Sequence, residues 1–368
     1  MTATDRERLI RLNLIPELGS TWLRRVLDAF GGLDRLWAAD VQELARVAGI
    51  TPQAAERLAA AREDDARFEQ ELALAERCGA AIVTLADAAY PNRLRTIPDP
   101  PLALYLRGAL TEADLTAVAV VGSRRGSPYG LRCAERLSED LALRGVTVVS
   151  GLAVGIDGAA HRGALRSGGR TLAVLGSGLE RVYPPAHERL ADQIAEQGVV
   201  LSEYPLETAP LPHHFPRRNR LISGLALGVI VVEASARSGA LITADCALEQ
   251  GREVFAVPGP MTSETSEGTH RLLKQGARLV TSVEDVLEEL RLSPRVVHAE
   301  GPVGAVSAQA LPERERQVFA CVREDSPQDI DAIVSRSGLP TPEVSSLLLQ
   351  LELKRLVRQL PGKQFMRC

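Results

Sequence analysis

Between residues 117 and 291 one pattern recurs seven times. Short apolar runs, AVAVVG (117–122), VTVVS (146–150), TLAVLG (171–176), VVLS (199–202), GVIVVE (228–233), EVFAVPG (253–259) and ARLV (277–280), alternate with helix-length stretches. Runs of this length without polar interruption are strands buried on both faces, which means a parallel sheet covered by helices. Alternation with helices supplies the crossovers that parallel strands need. The fold class expected is therefore α/β, an extended Rossmann-like, doubly wound and mostly parallel sheet over residues 66–292. Ligands of such sheets bind beyond the carboxyl ends of the strands.

The flanks differ. Residues 1–65 read as helices only, a helix–hairpin–helix or SAM-like domain, with FGGLDRLWAAD and VAGITPQAAERL as hairpin-like units and Gly31, Gly32 and Gly49 at helix ends. A helix over Ala66–Cys78 leads to a strand in AAIVTLAD, and YPNRLRTIPDPPLALYLRG ends in a segment expected as an edge strand. Residues 293–310 read as a linker. Residues 311–368 give three helices and a hairpin turning at Pro361–Gly362, the outline of a winged helix. Its recognition position, TPEVSSLLLQLELKRL, is apolar or acidic until Lys354, which favours packing or a partner over groove reading.

Five cysteines, Cys78, Cys133, Cys246, Cys321 and Cys368, are too scattered for a CxxC pair and fit a reducing compartment. The N-terminus carries acids and arginines where a signal peptide needs an apolar run, and the longest apolar stretch, Leu221–Ala234, is too short to span a bilayer. A cytoplasmic protein without membrane contact is expected. The formal net charge of −4 excludes a chain that is basic all over, but not a local basic groove.

Four loops follow strands at the same sheet edge. In VGSRRGSPYG, Gly122 ends the strand, Ser123, Arg124 and Arg125 form the turn, and Ser127-Pro128 signals a helix start. The glycine spacing does not meet GxGxxG. In SGLAVGIDGAAHRGAL, Gly151, Gly155 and Gly158 let the backbone of a loop that also holds Ser150, Leu152 and Ala153 approach an anion, Asp157 reads as an N-cap, and His161 lies in the first turn of the next helix, as a packing residue or a ligand contact. Gly176, Ser177 and Gly178 form a third turn, and Ser238-Gly239 opens a further helix.

The segment HFPRRNR holds Phe215, Arg217, Arg218, Asn219 and Arg220, with no acidic residue between 208 and 232 to pair with them. Arginines without local carboxylates, near several anion-ready loops, imply a polyanion, and Phe215 is placed to stack on a base. No Walker lysine, GxSxG or HExxH is present, and His213–His214 lacks metal-ligand spacing. No catalytic residue, metal or cofactor is expected. Several cradles without chemistry suit single-stranded nucleic acid.

VAVVGSRRGSPYG, SGLAVGIDGAAHRGAL, GSGLERVYPP, LSEYP, HFPRRNRLISGLA, VVEASARSGALITADCALEQGREVFAVPG and GTHRLLKQGA together resemble the DNA-processing protein A family (DprA, also called Smf) over about residues 80–290. The resemblance implies a non-enzymatic mediator of natural transformation and homologous recombination. It would bind and protect single-stranded DNA, help load RecA recombinase, and form a homodimer through the Rossmann-like domain, with double-stranded DNA as a partner left open. It also implies that Arg124 contacts phosphate and that the 150–157 loop, the 176–178 turn and the 215–220 segment line one pocket. Val154 and Pro185 stand where family members often carry lysine; Arg125 and Arg217 are expected to compensate. The alternative is a phosphoribohydrolase-like nucleotide-processing enzyme. It lacks support because PGGxGTxxE is absent and Asp245 is the nearest acid.

Overall fold

A computed structural model describes residues 3–15, 26–47, 50–292, 311–322, 328–353, 356–360 and 364–367. They fall into two units, 1–299 and 300–368. Gly49, Lys354, Cys368, the 293–310 linker and the Pro361–Gly362 turn lie outside the described residues.

The first unit is built on nine strands: β1 (Ala81–Thr84), β2 (Ala103–Gly108), β3 (Ala117–Val121), β4 (Thr147–Ser150), β5 (Thr171–Val174), β6 (Val199–Ser202), β7 (Gly228–Val231), β8 (Glu253–Ala256) and β9 (Arg278–Leu279). Their order in the sheet is β1-β2-β6-β5-β4-β3-β7-β8-β9. All pairings from β6 through β9 are parallel, as the apolar runs predict. The expected edge strand is a correction: β2 is interior, antiparallel to β6 on one side and to β1 on the other. Its own residues could not reveal that the preceding AIVT strand would cover it.

Alternate residues of β3 feed two cores. Ala117, Ala119 and Val121 join one cluster and Val118 and Val120 the other. On the first face lie α9 (His214–Leu225), α10 (Gly239–Glu249) and α11 (Glu267–Lys274); on the second lie α6 (Pro128–Leu143), α7 (Ile156–Arg166) and α12 (Val283–Glu289). The chain leaves β3 towards β4 on one side and returns to β7 on the other, so strand order reverses beside β3. That reversal opens a crevice at the carboxyl edge.

The N-terminal helices α1 (Ala3–Asn13), α2 (Leu33–Ala38), α3 (Val41–Ala45), α4 (Pro52–Glu63) and α5 (Asp65–Arg77) belong to the same unit as the sheet. Asp40 and Glu43 cap α3 reciprocally, and the Arg62 guanidinium donates to the Leu36 and Ala39 carbonyls at 2.5 Å each. Leu9 and Leu12 of α1 pack among these helices, whereas Ile10 and Leu14 pack with Tyr105 and Leu206 of the sheet body. Helix α1 is thus buried on two sides and joins the two. A further helix, α8 (Glu188–Gln197), covers β2, β5 and β6.

The second unit contains α13 (Glu313–Cys321), α14 (Ile330–Ser337), α15 (Thr341–Leu353) and a three-stranded sheet ordered β10 (Gln328–Asp329), β12 (Gln364–Arg367), β11 (Val357–Leu360). Val318, Ile333, Val344, Leu348, Leu351 and Phe365 form its core. This is the winged helix read from sequence; Val344, Leu348 and Leu351 of its third helix are core residues, whereas Leu349 is exposed. Among the described residues, no helix is long and apolar enough to cross a membrane.

Helices α6 and α7 touch at Gly163, where a Cβ would sit 2.2 Å from the Glu135 carbonyl oxygen. Gly163→Ala must push the two backbones apart. It should cost about 1–3 kcal/mol, read as a lower urea midpoint with unchanged slope. An unchanged midpoint would show that the contact is not constrained.

Candidate nucleic-acid interface

The crevice beside β3 is a cleft of about 550 Å³. The turn after β3, the start of α10 and one stripe of α9 line it. Each wall is fixed by local chemistry. Ser127 caps α6 as its sequence suggests, accepting from the Gly130 amide at 3.1 Å. The buried Glu233 carboxylate accepts from the Ser127 amide at 2.8 Å and its hydroxyl at 2.5 Å, and the Glu233 carbonyl accepts from the Ser123 amide at 2.8 Å. The turn between them is held at both ends. Arg124 and Arg125 therefore project from a fixed base, exposed and without an ion pair to any described residue. Gly122 and Ser123 line the cleft beside them.

The Arg124 guanidinium lies 5.0 Å from the Phe215 ring centre, and the Tyr183 ring is 5.5 Å from Phe215 on a tilted approach. A cation and two aromatic rings thus line one side. Ser238 caps α10 by accepting from the Ala240 amide at 3.3 Å, and exposed Gly239 at the start of that helix also lines the cleft. Asn219 ties α9 to this helix by donating to the Gly239 carbonyl at 3.1 Å.

Beneath the cleft lies a fully buried cation. The Arg218 guanidinium donates to the Gly151 carbonyl at 2.8 Å and to the Val174 carbonyl. Burial pushes its pKa down to about 10, opposed by Asp157, so it stays charged at neutral pH. Burial pushes the Asp157 carboxyl up, and Arg218 opposes that shift first. Each ion thus compensates the other.

Several sequence expectations are corrected here. Asp157 is not an N-cap. The helix begins after Gly155, and Asp157 in its first turn accepts from the Gly151 and Ala153 amides at 3.2 and 3.4 Å. The expected anion cradle holds the protein's own carboxylate. Gly155 has φ +82°, and a Cβ there would lie 2.4 Å from the Ser123 carbonyl oxygen, so its role is to let two loops meet. Leu152 is buried, and the Ser150 hydroxyl is spent on the Val120 carbonyl at 2.6 Å.

The Gly176–Gly178 turn is buried as well. Phe215 lies directly against Gly176, the Ser177 hydroxyl donates to the Arg181 carbonyl at 2.7 Å, and the Gly178 amide donates to the Thr208 carbonyl at 2.9 Å. This turn supports Phe215 rather than offering free amides. His161 is fully enclosed, with Nδ1 2.7 Å from the Thr171 hydroxyl. That hydroxyl donates onward to the Val148 carbonyl at 2.8 Å, so it accepts from Nδ1–H, and burial keeps the imidazole neutral.

The arginine run also divides. Residues 214–225 are helical, so Phe215, Arg218, Asn219 and Ile222 form one stripe and face the cleft. Arg217, two residues from Phe215 and about 200° around the helix, lines a different cavity. Arg220 is not the unpaired cation expected: its guanidinium donates to Asp99 at 2.7 Å and to Glu203 at 2.5 Å. Both acids are remote in sequence, so scanning neighbours of the run could not find them. Tyr183 and Glu233 were missed altogether. Their signals are an aromatic residue before two prolines in a post-strand loop, and an acid closing the apolar GVIVVE run.

A sequence model described as DNA recombination-mediator protein A matches residues 81–291, and one described as the DprA winged helix domain matches residues 304–363. Protein Smf of Escherichia coli (strain K12) is 48% identical over 279 residues, 74% of either chain. DNA processing protein DprA of Streptococcus pneumoniae (strain ATCC BAA-255 / R6) is 48% identical over 206 residues, 56% of this chain and 73% of its own. The X-ray structure of DNA processing protein A from Streptococcus pneumoniae superposes with a TM-score of 0.67 at 40% identity, covering 78% of this chain and 99% of that one. A structure of DNA processing protein A from Helicobacter pylori, described for its single-stranded DNA binding mode, gives a TM-score of 0.51 at 31% identity over 57% of this chain and 95% of that one.

Burial pushes the His161 pKa down from 6.5 to about 3. Between those values the unfolded chain binds one more proton than the folded chain. Stability from this residue is therefore complete above pH 6.5 and falls as pH drops, by about 1.4 kcal/mol per pH unit. The stability of His161→Gln should lose that slope relative to the parent in urea unfolding from pH 7 to 4. Parallel curves would show that the imidazole is protonated within the fold.

Proposed function

Because the chain belongs to the DNA recombination-mediator protein A family, we propose that it binds and protects single-stranded DNA and helps load RecA recombinase onto it during natural transformation and homologous recombination. The observation that carries this reading is the pair of exposed guanidiniums, Arg124 and Arg125, fixed on a rigid turn beside Phe215 and Tyr183 with no carboxylate claiming them among the described residues. Successive phosphates of a flexible strand satisfy the cations, and its bases satisfy the rings. Asp157, the one acid among the described residues that line the cleft, is faced by Arg218 and does not repel the strand as a free charge.

The binding set in this proposal is Gly122, Ser123, Arg124, Arg125, Phe215, Asn219, Ser238 and Gly239, with Tyr183 added. Ser150, Gly151, Leu152, Asp157, His161, Gly176, Ser177, Gly178, Arg218 and Arg220 act beneath the surface as its supports, and Ala153 and Gly155 sit at the rim. The homodimer through the Rossmann-like domain, RecA as protein partner, a cytoplasmic location and the absence of catalysis belong to the same proposal and rest on the family. Duplex DNA is left open as a further partner, with no part in it assigned to the winged helix. The hydrolase alternative would need a carboxylate in the cleft in the role of Asp245. That residue is exposed on α10 and does not line the cleft.

Replacing Arg124 and Arg125 together by Ala should weaken oligonucleotide binding at least tenfold at about 0.1 M salt and reduce the slope of log K against log[salt] by about 1.4. Fluorescence anisotropy across a salt series measures both; an unchanged slope and affinity would refute the assignment. Val154 is exposed on the loop after β4. Val154→Lys should do the reverse, tightening binding and adding about 0.7 to the slope.

A further inference from the structure

Helix α6 leads away from the cleft, and its side chains are sorted by face. Ala134, Leu137 and Leu141 are buried in the core beneath it. Glu135 and Glu139 lie on the flank towards α7. There Glu135 pairs with Arg162 at 3.9 Å and with Arg166 at 3.1 Å, and Glu139 pairs with Arg166 at 3.6 Å. Tyr129, Arg132 and Arg136 follow one another at spacings of three and four residues, so they share the outward face. All three are exposed.

The stripe starts where the cleft ends. Arg125 lines the cleft and lies four residues before Tyr129, with the capped start of α6 between them. The Tyr129 hydroxyl donates to the Pro258 carbonyl at 2.8 Å, so the exposed ring is held in place. Arg132 makes no ion pair with a described residue. Arg136 approaches Asp140 at 3.8 Å, but its side chain is 87% exposed and Asp140 also faces Arg144 at 4.0 Å. An ion pair so exposed and shared holds its cation weakly. From Pro128 to Arg136 the helix rises about 12 Å. In a chain of formal net charge −4, a face with cations and a fixed aromatic ring, its acids turned to another flank or shared, is not an evenly solvated surface.

We propose that a single strand of DNA leaving the cleft continues along this face of α6, with its phosphates on Arg132 and Arg136 and a base on the Tyr129 ring. The occupant follows from charge complementarity and from continuity with the cleft. Guanidiniums beside a fixed aromatic surface match a backbone that carries a charge and a base at every step. The proposal rests on the single-stranded DNA reading of the cleft and extends it. It gives the strand an exit path and makes the bound segment longer than the cleft alone accommodates.

The test uses the full chain and oligothymidylates of about four and about twelve nucleotides, which fill the cleft alone or reach along α6 as well. Replacing Arg132 and Arg136 together by Ala should weaken the long oligomer about tenfold at about 0.1 M salt and reduce its slope of log K against log[salt] by about 1.4. The short oligomer should change by no more than about twofold, because salt screens cations beyond about 10 Å. Replacing both arginines by Lys should keep the slope, which depends on charge alone. Tyr129→Leu should weaken the long oligomer about fivefold without changing its slope, whereas Tyr129→Phe keeps the ring and the affinity. Arg124→Ala separates this proposal from the reading beneath it, since it should weaken both oligomers. If it weakens neither while the Arg132→Ala, Arg136→Ala pair still weakens the long one, the cleft reading fails and the path along α6 stands. A long oligomer indifferent to that pair in affinity and slope overturns the proposal and leaves the face to an acidic protein partner. Equal losses for the two lengths overturn it as well, since the cations then act only through their general field.

Discussion

One buried guanidinium organises the carboxyl edge of the sheet. Arg218 of α9 donates to the carbonyls of Gly151 and Val174, at the ends of β4 and β5, and its charge answers Asp157 at the start of α7. A buried cation is costly unless hydrogen-bonded and paired. Once these partners are in place, α9 cannot rotate or slide without breaking them. Phe215 is thereby fixed against Gly176 and under Arg124, and Asn219 against the start of α10. The shape of the cleft follows from this anchor. The anion that the loop amides of residues 151 and 153 would otherwise attract is already present as Asp157.

The binding surface is consequently narrower than a count of glycines and arginines suggests. Turns rich in glycine after parallel strands are expected to cradle phosphate. Here the 151–155 and 176–178 turns instead let neighbouring segments approach, and the amides of Gly151, Ala153 and Gly178 are used internally. What remains outward are the guanidiniums of the turn after β3, exposed Gly239 at the start of α10 and two aromatic rings. Buried support beneath a few exposed contacts gives a site with little freedom to lose on binding.

Helix α9 explains why five polar or aromatic residues within six positions, 215–220, serve different ends. Successive residues turn by about 100°, so Phe215 and Arg218 face the cleft, Arg217 faces the cavity by Tyr204, and Arg220 reaches Asp99 and Glu203. The same helix is a wall of both spaces. The N-terminal helices complete the second, which gives them a part in shaping a cavity beyond packing on the sheet.

Local pattern determined the architecture. Apolar runs in βα alternation, the Ser127-Pro128 and Ser238-Gly239 helix starts and the winged-helix outline are set by neighbours within a few residues, and they stand in the structure. The motif string also carried the family. Tertiary structure alone decided which charges are free. Arg220 and Glu203 are 17 residues apart and Arg220 and Asp99 are 121 apart, so pairing between them leaves no local trace. For the same reason no scan of the segment could show that β1 would cover β2, that Asp157 would fill its own cradle, or that Tyr204 and His214 would be buried against each other. Propensity and periodicity are short-range properties. Burial and charge compensation depend on what the folded chain brings near, and that depends on long-range packing.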